Sequence, residues 1–587
     1  GETMKLLLTA INAKYIHSSL AIRSLKQYAA CYGDQIALQE FTINQDVDYI
    51  LEQLYHQKAD VIGFSCYIWN REMILELAEN LKKVSPQTVI FLGGPEVSYD
   101  AREMLLTYPY IDLVIRGEGE GTFLDLAKHW IDGTLTLEEI PGITYRLSNG
   151  TVAENVNRPP MSLENIPFVY DDMSDFSHRI IYYETQRGCP YQCQYCLSSV
   201  ENGVRFLPEE RVKQDLDFFL SQKVMQVKFV DRTFNCNRRH ATMIWQYLMD
   251  HDNGVTNFHM EITADLLDDE TLNLLKHTRK GLFQFEIGVQ TTNPQTMKAI
   301  RRAVSFEKLS QVVQKIKAME NIHVHLDLIA GLPLEDYNSF GRSFDDVYRL
   351  EPDQLQLGFL KLLKGSGLRR DAEKYDICYR NQAPYEVLST ACLSFEDLCQ
   401  LKLLEEMVET FYNSPKALRT IQFITTVVPS PFEFFQTLGN YWEDKGYRAV
   451  KHNRAEYSLL FYEFCTTQEI LHPYLDVIAD LLRFDLYLGE NARRMPEALQ
   501  WDAPDTKEAR SRFYHDKTQM EQLLPHLTGY NPAQLARMCH IELFRYDVCS
   551  LGQGNHVPAP GLTAVLFDYT KRNPLTNEAD YQAIHLL

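Results

Sequence analysis

The sequence predicts an α/β chain in three parts: a doubly wound parallel sheet, a second strand-helix series forming a partial barrel, and a mostly helical C-terminal region. Three observations predict it. Apolar strand-like runs alternate with helical stretches up to about residue 140, the alternation resumes near Arg179, and strand signals fade after about Ala383. Of the 587 residues, 45% are hydrophobic and 23% charged, which excludes disorder, collagen and coiled coil as descriptions of the whole. At roughly 150 residues per domain the length predicts about three or four domains.

Residues 4–140 open with KLLLTAIN from Lys5, an apolar run suited to a buried parallel strand, and the helical stretch SLAIRSLKQYA. IALQEFTI, ADVIGFSC, TVIFLGGPEV and IDLVIRGE read as four further strands, separated by helices such as REMILELAENLKKV. Ligands of such a sheet sit at the carboxyl ends of its strands. Those ends read Ala10-Ile11-Asn12, Ser65-Cys66-Tyr67, Gly93-Gly94-Pro95-Glu96 and Gly117-Glu118-Gly119-Glu120-Gly121. Small residues there make tight turns and allow a ligand close approach to backbone.

Residues 141–178 read as a linker that contains a small hairpin, PGITYRLSNGTVAENV, with an Asn149-Gly150 turn. Residues 179–383 hold six strand candidates: IIYYETQ, QVKFVD, FHMEIT, LFQFEIGVQ, HVHLDLIAG and QLQLGFLKLL. Six strand-helix units predict a barrel or partial barrel with its chemistry at the carboxyl ends. Residues 384–587 read as helical and rich in Tyr, Phe and Leu, and contain no repeat.

The formal charge of −21 argues against a broad nucleic-acid-binding role, while leaving room for an RNA substrate held by a local basic patch. No run of about 18 apolar residues predicts a membrane span. Gly1-Glu2-Thr3 reads as an expression scar and no secretory leader follows, so a reducing cytoplasm is the expected compartment. Of the 12 cysteines, Cys189, Cys193 and Cys196 crowd into RGCPYQCQYC, and the other nine are scattered. A tight cluster in a reducing compartment reads as metal-binding or catalytic. Three thiolates on one loop can hold three irons of a [4Fe-4S] cluster and leave the fourth open. A structural zinc would need a fourth ligand, which no nearby pair supplies.

This C-x3-C-x2-C loop, with Tyr195 before its last cysteine, resembles the cluster loop of the radical S-adenosylmethionine (SAM) enzymes. The resemblance implies a (βα)6 partial TIM barrel, with the open iron chelated by the methionine moiety of SAM and a 5′-deoxyadenosyl radical formed on reduction. FHMEITADLL, EIGVQTT and DLIAGLP resemble segments of the oxygen-independent coproporphyrinogen oxidase group, which implies that Glu261, Gln290 and Asp327 surround SAM together with Arg302, Arg301 being its near competitor. The family's Gly-Gly-Glu segment is replaced by QVKFVDRTFN, with Asp231 and Thr233 as substitutes.

The first domain resembles the Rossmann-like cobalamin (B12)-binding domain of B12-dependent radical enzymes. NAKYIHSSL, GFSCYIWN, GGPEVSY and RGEGEGTF carry the resemblance. It implies a corrin site drawn from Asn12, His17, Ser65, Tyr67, Ile68, Trp69, Gly93, Gly94, Pro95, Glu96, Gly117, Glu118 and Gly119. His17 occupies the histidine position of D-x-H-x-x-G, but Tyr15 and Leu20 replace the Asp and Gly. Without the Asp that orients the imidazole, His17 reads as a turn residue rather than an axial ligand. Tyr67, Ile68 and Trp69 are then the candidates to cover the lower corrin face.

Together these features imply a cytoplasmic cobalamin-dependent radical SAM enzyme that methylates an unactivated carbon through the 5′-deoxyadenosyl radical and methylcobalamin, with a flavodoxin or ferredoxin as reductant. Radical oxidation, cyclisation or rearrangement without methyl transfer is the first alternative, and a cobalamin-sensing protein with a structural cluster is the second. The substrate, whether small molecule, peptide or RNA, is not specified by the sequence. The methylation reading requires the barrel mouth to face the carboxyl edge of the first sheet.

Overall fold

The protein was analysed as a computed structural model that describes residues 3–188, 203–552 and 554–587. Its first sheet holds β1 (Leu6–Asn12), β2 (Ile36–Thr42), β3 (Val61–Ser65), β4 (Val89–Gly93), β5 (Leu113–Ile115), β6 (Ile143–Arg146) and β7 (Val152–Glu154), in the order β2-β1-β3-β4-β5-β6-β7. β1 to β5 run parallel. Every residue of β1 is buried, because helices cover both faces of the sheet. Leu7 and Ile11 pack on one side with Ile74 and Leu77 of the helix Arg71–Val84, while Leu6, Leu8 and Ala10 pack on the other with Ile22 and Phe123. The chain leaves β1 for β2 on one side and reaches β3 on the other, so the strand order reverses at the β1/β3 boundary, where such sheets bind ligands.

The Asn149-Gly150 hairpin forms, with Gly150 at φ +86°. It is no free linker, however: β6 pairs antiparallel with β5, so the first sheet continues into the segment expected to connect the domains. A short period-2 segment beside an exposed sheet edge gains ladder hydrogen bonds by joining it.

The barrel strand β8 (Ile181–Tyr183) is followed by β9 (Gln186–Arg187) and β10 (Arg205–Phe206), an antiparallel pair that closes the base of the cysteine loop. β11 (Gln226–Phe229), β12 (Asn257–Ile262), β13 (Phe283–Gln290), β14 (His323–Ala330) and β15 (Gln354–Phe359) complete a parallel sheet of order β15-β14-β13-β12-β11-β8. β13 and β14 alternate strictly between buried and part-exposed positions. Phe283, Phe285, Ile287 and Val289 pack under the helices; Gln284, Glu286, Gly288 and Gln290 take the opposite, inward face. A small barrel is normally filled by apolar side chains, so a polar interior marks a ligand chamber.

A two-residue pair, β16 (Cys378–Tyr379) with β17 (Val387–Ser389), leads into the C-terminal helices. Gly341, on the last barrel helix Tyr337–Tyr348, lets the helix Pro431–Asp444 come close: a Cβ there would stand 2.7 Å from the Phe432 ring. Asp345 accepts hydrogen bonds from Ser430 Oγ at 2.7 Å and Phe432 N at 2.8 Å. One continuous hydrophobic core runs from Leu163 through the barrel helices to Phe567. The C-terminal region is mostly helical but ends in an antiparallel sheet of β18 (Cys539–Tyr546), β19 (Pro560–Arg572) and β20 (Ala579–Ile584). The period-2 burial of Cys539, Ile541 and Leu543 explains this sheet, although the neighbouring aromatics read as helical. No helix among the described residues is long and apolar enough to cross a membrane.

Candidate functional site

The carboxyl edge of the first sheet faces the barrel. The His17 ring meets the Tyr182 ring of β8 edge-on at 6.2 Å, and Ile180 N donates to Ile16 O at 2.8 Å. Between them lies a cavity of about 510 Å³, lined from the first domain by Asn12, His17, Tyr67, Trp69 and Glu120, and from the barrel by Tyr182, Glu184 and Arg187. Burial and the nearby Lys14 and Lys228 hold the His17 imidazole below its usual pKa, so it is neutral at pH 7. His17 N donates to Lys14 O at 3.1 Å, a turn.

Tyr67 and Trp69 stack with ring centroids 4.4 Å apart and planes 4° from parallel. Trp69 Nε1 donates to Ile11 O at 3.1 Å, and the residue, 45% exposed, lines the cavity. Asn70, a residue not anticipated from sequence, ties the two strand ends together: its amide donates to Ile11 O and Ser65 O and accepts from Tyr67 N. Behind Tyr67 a narrow slot of about 130 Å³ runs between the strand ends, lined by Ser65, Gly93, Gly94, Gly117 and Gly119. At Gly94, φ is +108° and a Cβ would stand 2.6 Å from Cys66 O, so only glycine fits. A Cβ at Gly93 would meet only Ile115, at 3.8 Å. Such a cradle fits the tail of a large planar cofactor whose ring rests on the aromatic pair.

Several expected corrin residues serve elsewhere. Glu96 is 3% exposed and accepts from Tyr385 Oη. Ile68 packs against the barrel core, and Pro95 lines neither cavity. Asn12 donates to Glu40 Oε2 at 2.7 Å, leaving only part of its side chain for a ligand. Glu118 pairs with Arg187 and with Arg205, the latter at 3.0 Å. Arg187 also pairs with Glu120 and with Glu184. Burial would raise the Glu120 pKa, but Arg187 outweighs it and holds the carboxyl ionised. Arg187 and Arg205 flank the cysteine loop, so both ends of that loop are tied to the turn after β5. Cys189, Cys193, Cys196 and Tyr195 lie outside the described residues.

Inside the barrel, Glu261, Gln290, Arg302 and Asp327 gather at the ends of β12 to β14. The β13/β14 register shifts between Gly288 and Gln290, and Gln290 sits at φ +69°. A bulge of this kind re-aims a side chain. Gln290 Oε1 and Asp327 Oδ1 are buried without hydrogen-bond partners, and Arg302 donates to Gly288 O. Burial, reinforced by Glu286, pushes the Glu261 carboxyl up to about 7, and burial takes Asp327 up to about 6. Unsatisfied buried acceptors beside carboxylates fit a polar, cationic ligand. Asp231 is different, and the expectation for it is corrected. It is 1% exposed and accepts from Thr185 N at 2.8 Å, Gln186 N at 3.0 Å and Thr185 Oγ1. Its carboxylate thus ties β11 to the base of the cysteine loop, as expected of a group whose neighbouring amides are otherwise orphaned.

Three family models match: the B12 binding domain over 6–127, the radical SAM superfamily over 183–347, and a protein of unknown function, DUF4080, over 373–567. The chain combines a B12-binding domain, a radical SAM domain and a DUF4080 region. It is similar to the cobalamin-dependent radical SAM methyltransferase TokK of Streptomyces tokunonensis, at 25% identity over 301 residues, covering 48% of this chain and 44% of that protein. It is also similar to the anaerobic magnesium-protoporphyrin IX monomethyl ester cyclase of Rubrivivax gelatinosus, at 23% identity, covering 55% and 60%. Among solved structures, the cobalamin-dependent SAM radical enzyme OxsB with aqua-cobalamin bound aligns at a TM-score of 0.58 and 15% identity, covering 83% of this chain and 80% of that one, a likeness of fold. The match spans less than half the length, 44%, of TokK and of the 2-(S-pantetheinyl)-carbapenam-3-carboxylate methyltransferase of Streptantibioticus cattleyicolor.

Proposed function

We propose that this chain is a cobalamin-dependent radical SAM enzyme that methylates an unactivated carbon. The observation that carries the reading is the one cavity lined by Asn12, His17, Tyr67 and Trp69 of the first domain and by Tyr182, Glu184 and Arg187 of the barrel. When bound, the cluster and SAM supply a carbon-centred radical and the corrin supplies the methyl group. Cys189, Cys193 and Cys196 are assigned to the cluster. Glu261, Gln290, Arg302 and Asp327 are assigned to SAM, where carboxylates suit ribose hydroxyls or an ammonium and Arg302 suits a carboxylate. Ser65, Tyr67, Trp69, Gly93, Gly94, Gly117 and Gly119 are assigned to cobalamin, with the Tyr67-Trp69 stack against the corrin face. The chain's own part is to hold these groups on two sides of one chamber and to keep water from it. A flavodoxin or ferredoxin is the proposed reductant, and the cytoplasm the proposed compartment.

The test uses reconstituted protein and SAM labelled in its methyl group, incubated with fractionated metabolites, peptides and RNA. Label in a product supports methylation. Turnover without label in product would replace it with the oxidation, cyclisation or rearrangement reading, which the likeness to the cyclase favours. Absence of 5′-deoxyadenosine from wild type, at the level of Cys193→Ala, would instead favour a sensor.

A further inference from the structure

The barrel interior holds a second polar constellation that shares Asp327 with the proposed SAM site and whose other members, Glu286, His325 and His259, the proposed function leaves unused. Glu286 on β13 stands opposite His325 on β14, and Asp327 follows two residues on, opposite Gly288. All three take the inward face, since Phe285, Ile287, Leu326 and Leu328 between them are buried under the helices. One carboxylate oxygen of Glu286, one ring nitrogen of His325 and one carboxylate oxygen of Asp327 lie within 4.8 Å of one another.

The separations are informative. His325 Nε2 is 3.2 Å from Asp327 Oδ1, and His259 Nε2 of β12 is 3.2 Å from Glu286 Oε2. Yet His325 Nε2, Asp327 Oδ1 and His259 Nε2 are all buried without a properly aligned hydrogen bond, and His259 as a whole is only 8% exposed. Groups that approach this closely without aligning as donor and acceptor converge on a point between them. Ligand atoms about 2.0–2.2 Å from a first-row divalent cation stand roughly 3.0–3.5 Å apart at neighbouring vertices. Two carboxylates in contact within a low-dielectric chamber also repel, and a cation between them removes that cost.

We propose that Glu286, His325 and Asp327 form a divalent-cation site inside the barrel, with the His259 imidazole as the outer neighbour of Glu286, 3.2 Å from its Oε2. One imidazole and two carboxylates, with no thiolate, suit Mn²⁺, Fe²⁺ or Zn²⁺ rather than a soft ion. Three protein ligands on adjacent strands leave the remaining coordination positions to the chamber, where they would take an oxygen-bearing group of the substrate. Asp327 is also assigned to SAM; it offers Oδ1 to the cation and keeps its second oxygen for the other ligand.

Manganese is the probe, because its paramagnetic resonance spectrum separates bound from free ion and thiolates compete poorly for it. The full chain is loaded with oxidised cluster and Co(III) cobalamin, both silent, and titrated with Mn²⁺ in the absence of SAM and substrate. One tightly held Mn²⁺ per chain is expected. His325→Ala and Glu286→Gln are expected to abolish it, and His259→Ala to weaken it about 10-fold or more. Wild type with no stoichiometric Mn²⁺, or binding unchanged in His325→Ala, overturns the proposal. Should a variant fail to fold, the spin-echo spectrum of wild type decides: an imidazole nitrogen coupling on the bound Mn²⁺ supports the site, and its absence overturns it. Neither readout involves turnover, so failure of the methylation reading and failure of the cation site are distinguishable.

Discussion

Tyr385 donates its hydroxyl hydrogen to Glu96 across 2.6 Å, joining the segment after the barrel to the turn after β4, 289 positions away. Glu96 is 3% exposed, burial raises its pKa, and Arg71 Nη1 is the next charged neighbour at 3.6 Å. Tyr385→Phe removes one donor and leaves a buried carboxylate short of a partner, at an expected cost of about 1–3 kcal/mol. Thermal unfolding of the two proteins at pH 7.5 checks it (a buffer choice of roughly the range where carboxylates are ionised). An unchanged midpoint would show that water replaces the hydroxyl.

Arg187 holds Glu118, Glu120 and Glu184 at the domain junction. Arg187→Met strands Glu120, which is 5% exposed, and is expected to cost about 3–5 kcal/mol. Glu120→Gln in the same chain should recover part of the loss. Additive losses in the double variant would show that the two side chains act independently.

The folded-state pKa of Glu261, about 7, lies above its ordinary 4.5. Between those values the folded chain keeps a proton that the unfolded chain has released, so this group lowers stability as pH rises across that window and no further above it. Glu261→Gln should therefore be more stable than wild type at pH above about 7, by an amount on the order of 2–3 kcal/mol, with the difference shrinking as pH falls toward about 4.5. Unfolding midpoints measured across that window test the sign. A difference independent of pH would mean that the carboxyl titrates normally. The same variant should retain less SAM.

Gly93→Leu fills the slot from a position whose Cβ meets only Ile115. Cobalamin retained after reconstitution and desalting, read from its visible spectrum, should fall by about 10-fold or more, which is the size of about 1.4 kcal/mol, while the folding transition stays within a few degrees. Retention equal to wild type would place the cofactor elsewhere.

The two parallel sheets were legible because buried parallel strands read as apolar runs and their helices as 3.6-residue periods. The Gly-rich strand ends pointed to the slot for the same reason: Gly94 adopts a backbone that side chains disfavour. Less legible were residues whose role depends on a distant partner. Glu96 and Glu118 sit in glycine-rich turns that resemble a ligand loop, and only the packed chain brings Tyr385 and Arg187 to them. Asp231 was hidden likewise, since the amides it caps belong to Thr185, between β8 and β9, and to Gln186 of β9. The inward row of His259, Glu286 and His325 did have a signal, the polar residues at every second position of HMEI, FEIGVQ and HVHLD. Period-2 reading of those strands by face, rather than for motif residues alone, finds it.

The continuous core from Leu163 to Phe567 also bears on how the DUF4080 region is to be understood. Cutting the chain before residue 373 would uncover the Phe344 and Tyr348 face of the last barrel helix, on which Phe432, Phe435 and Tyr412 now rest. The region is therefore an outer wall of the barrel rather than an accessory hung from it. Mutations that only loosen that wall will read as damage to the barrel, and a phenotype mapped to the DUF4080 stretch will speak for both together.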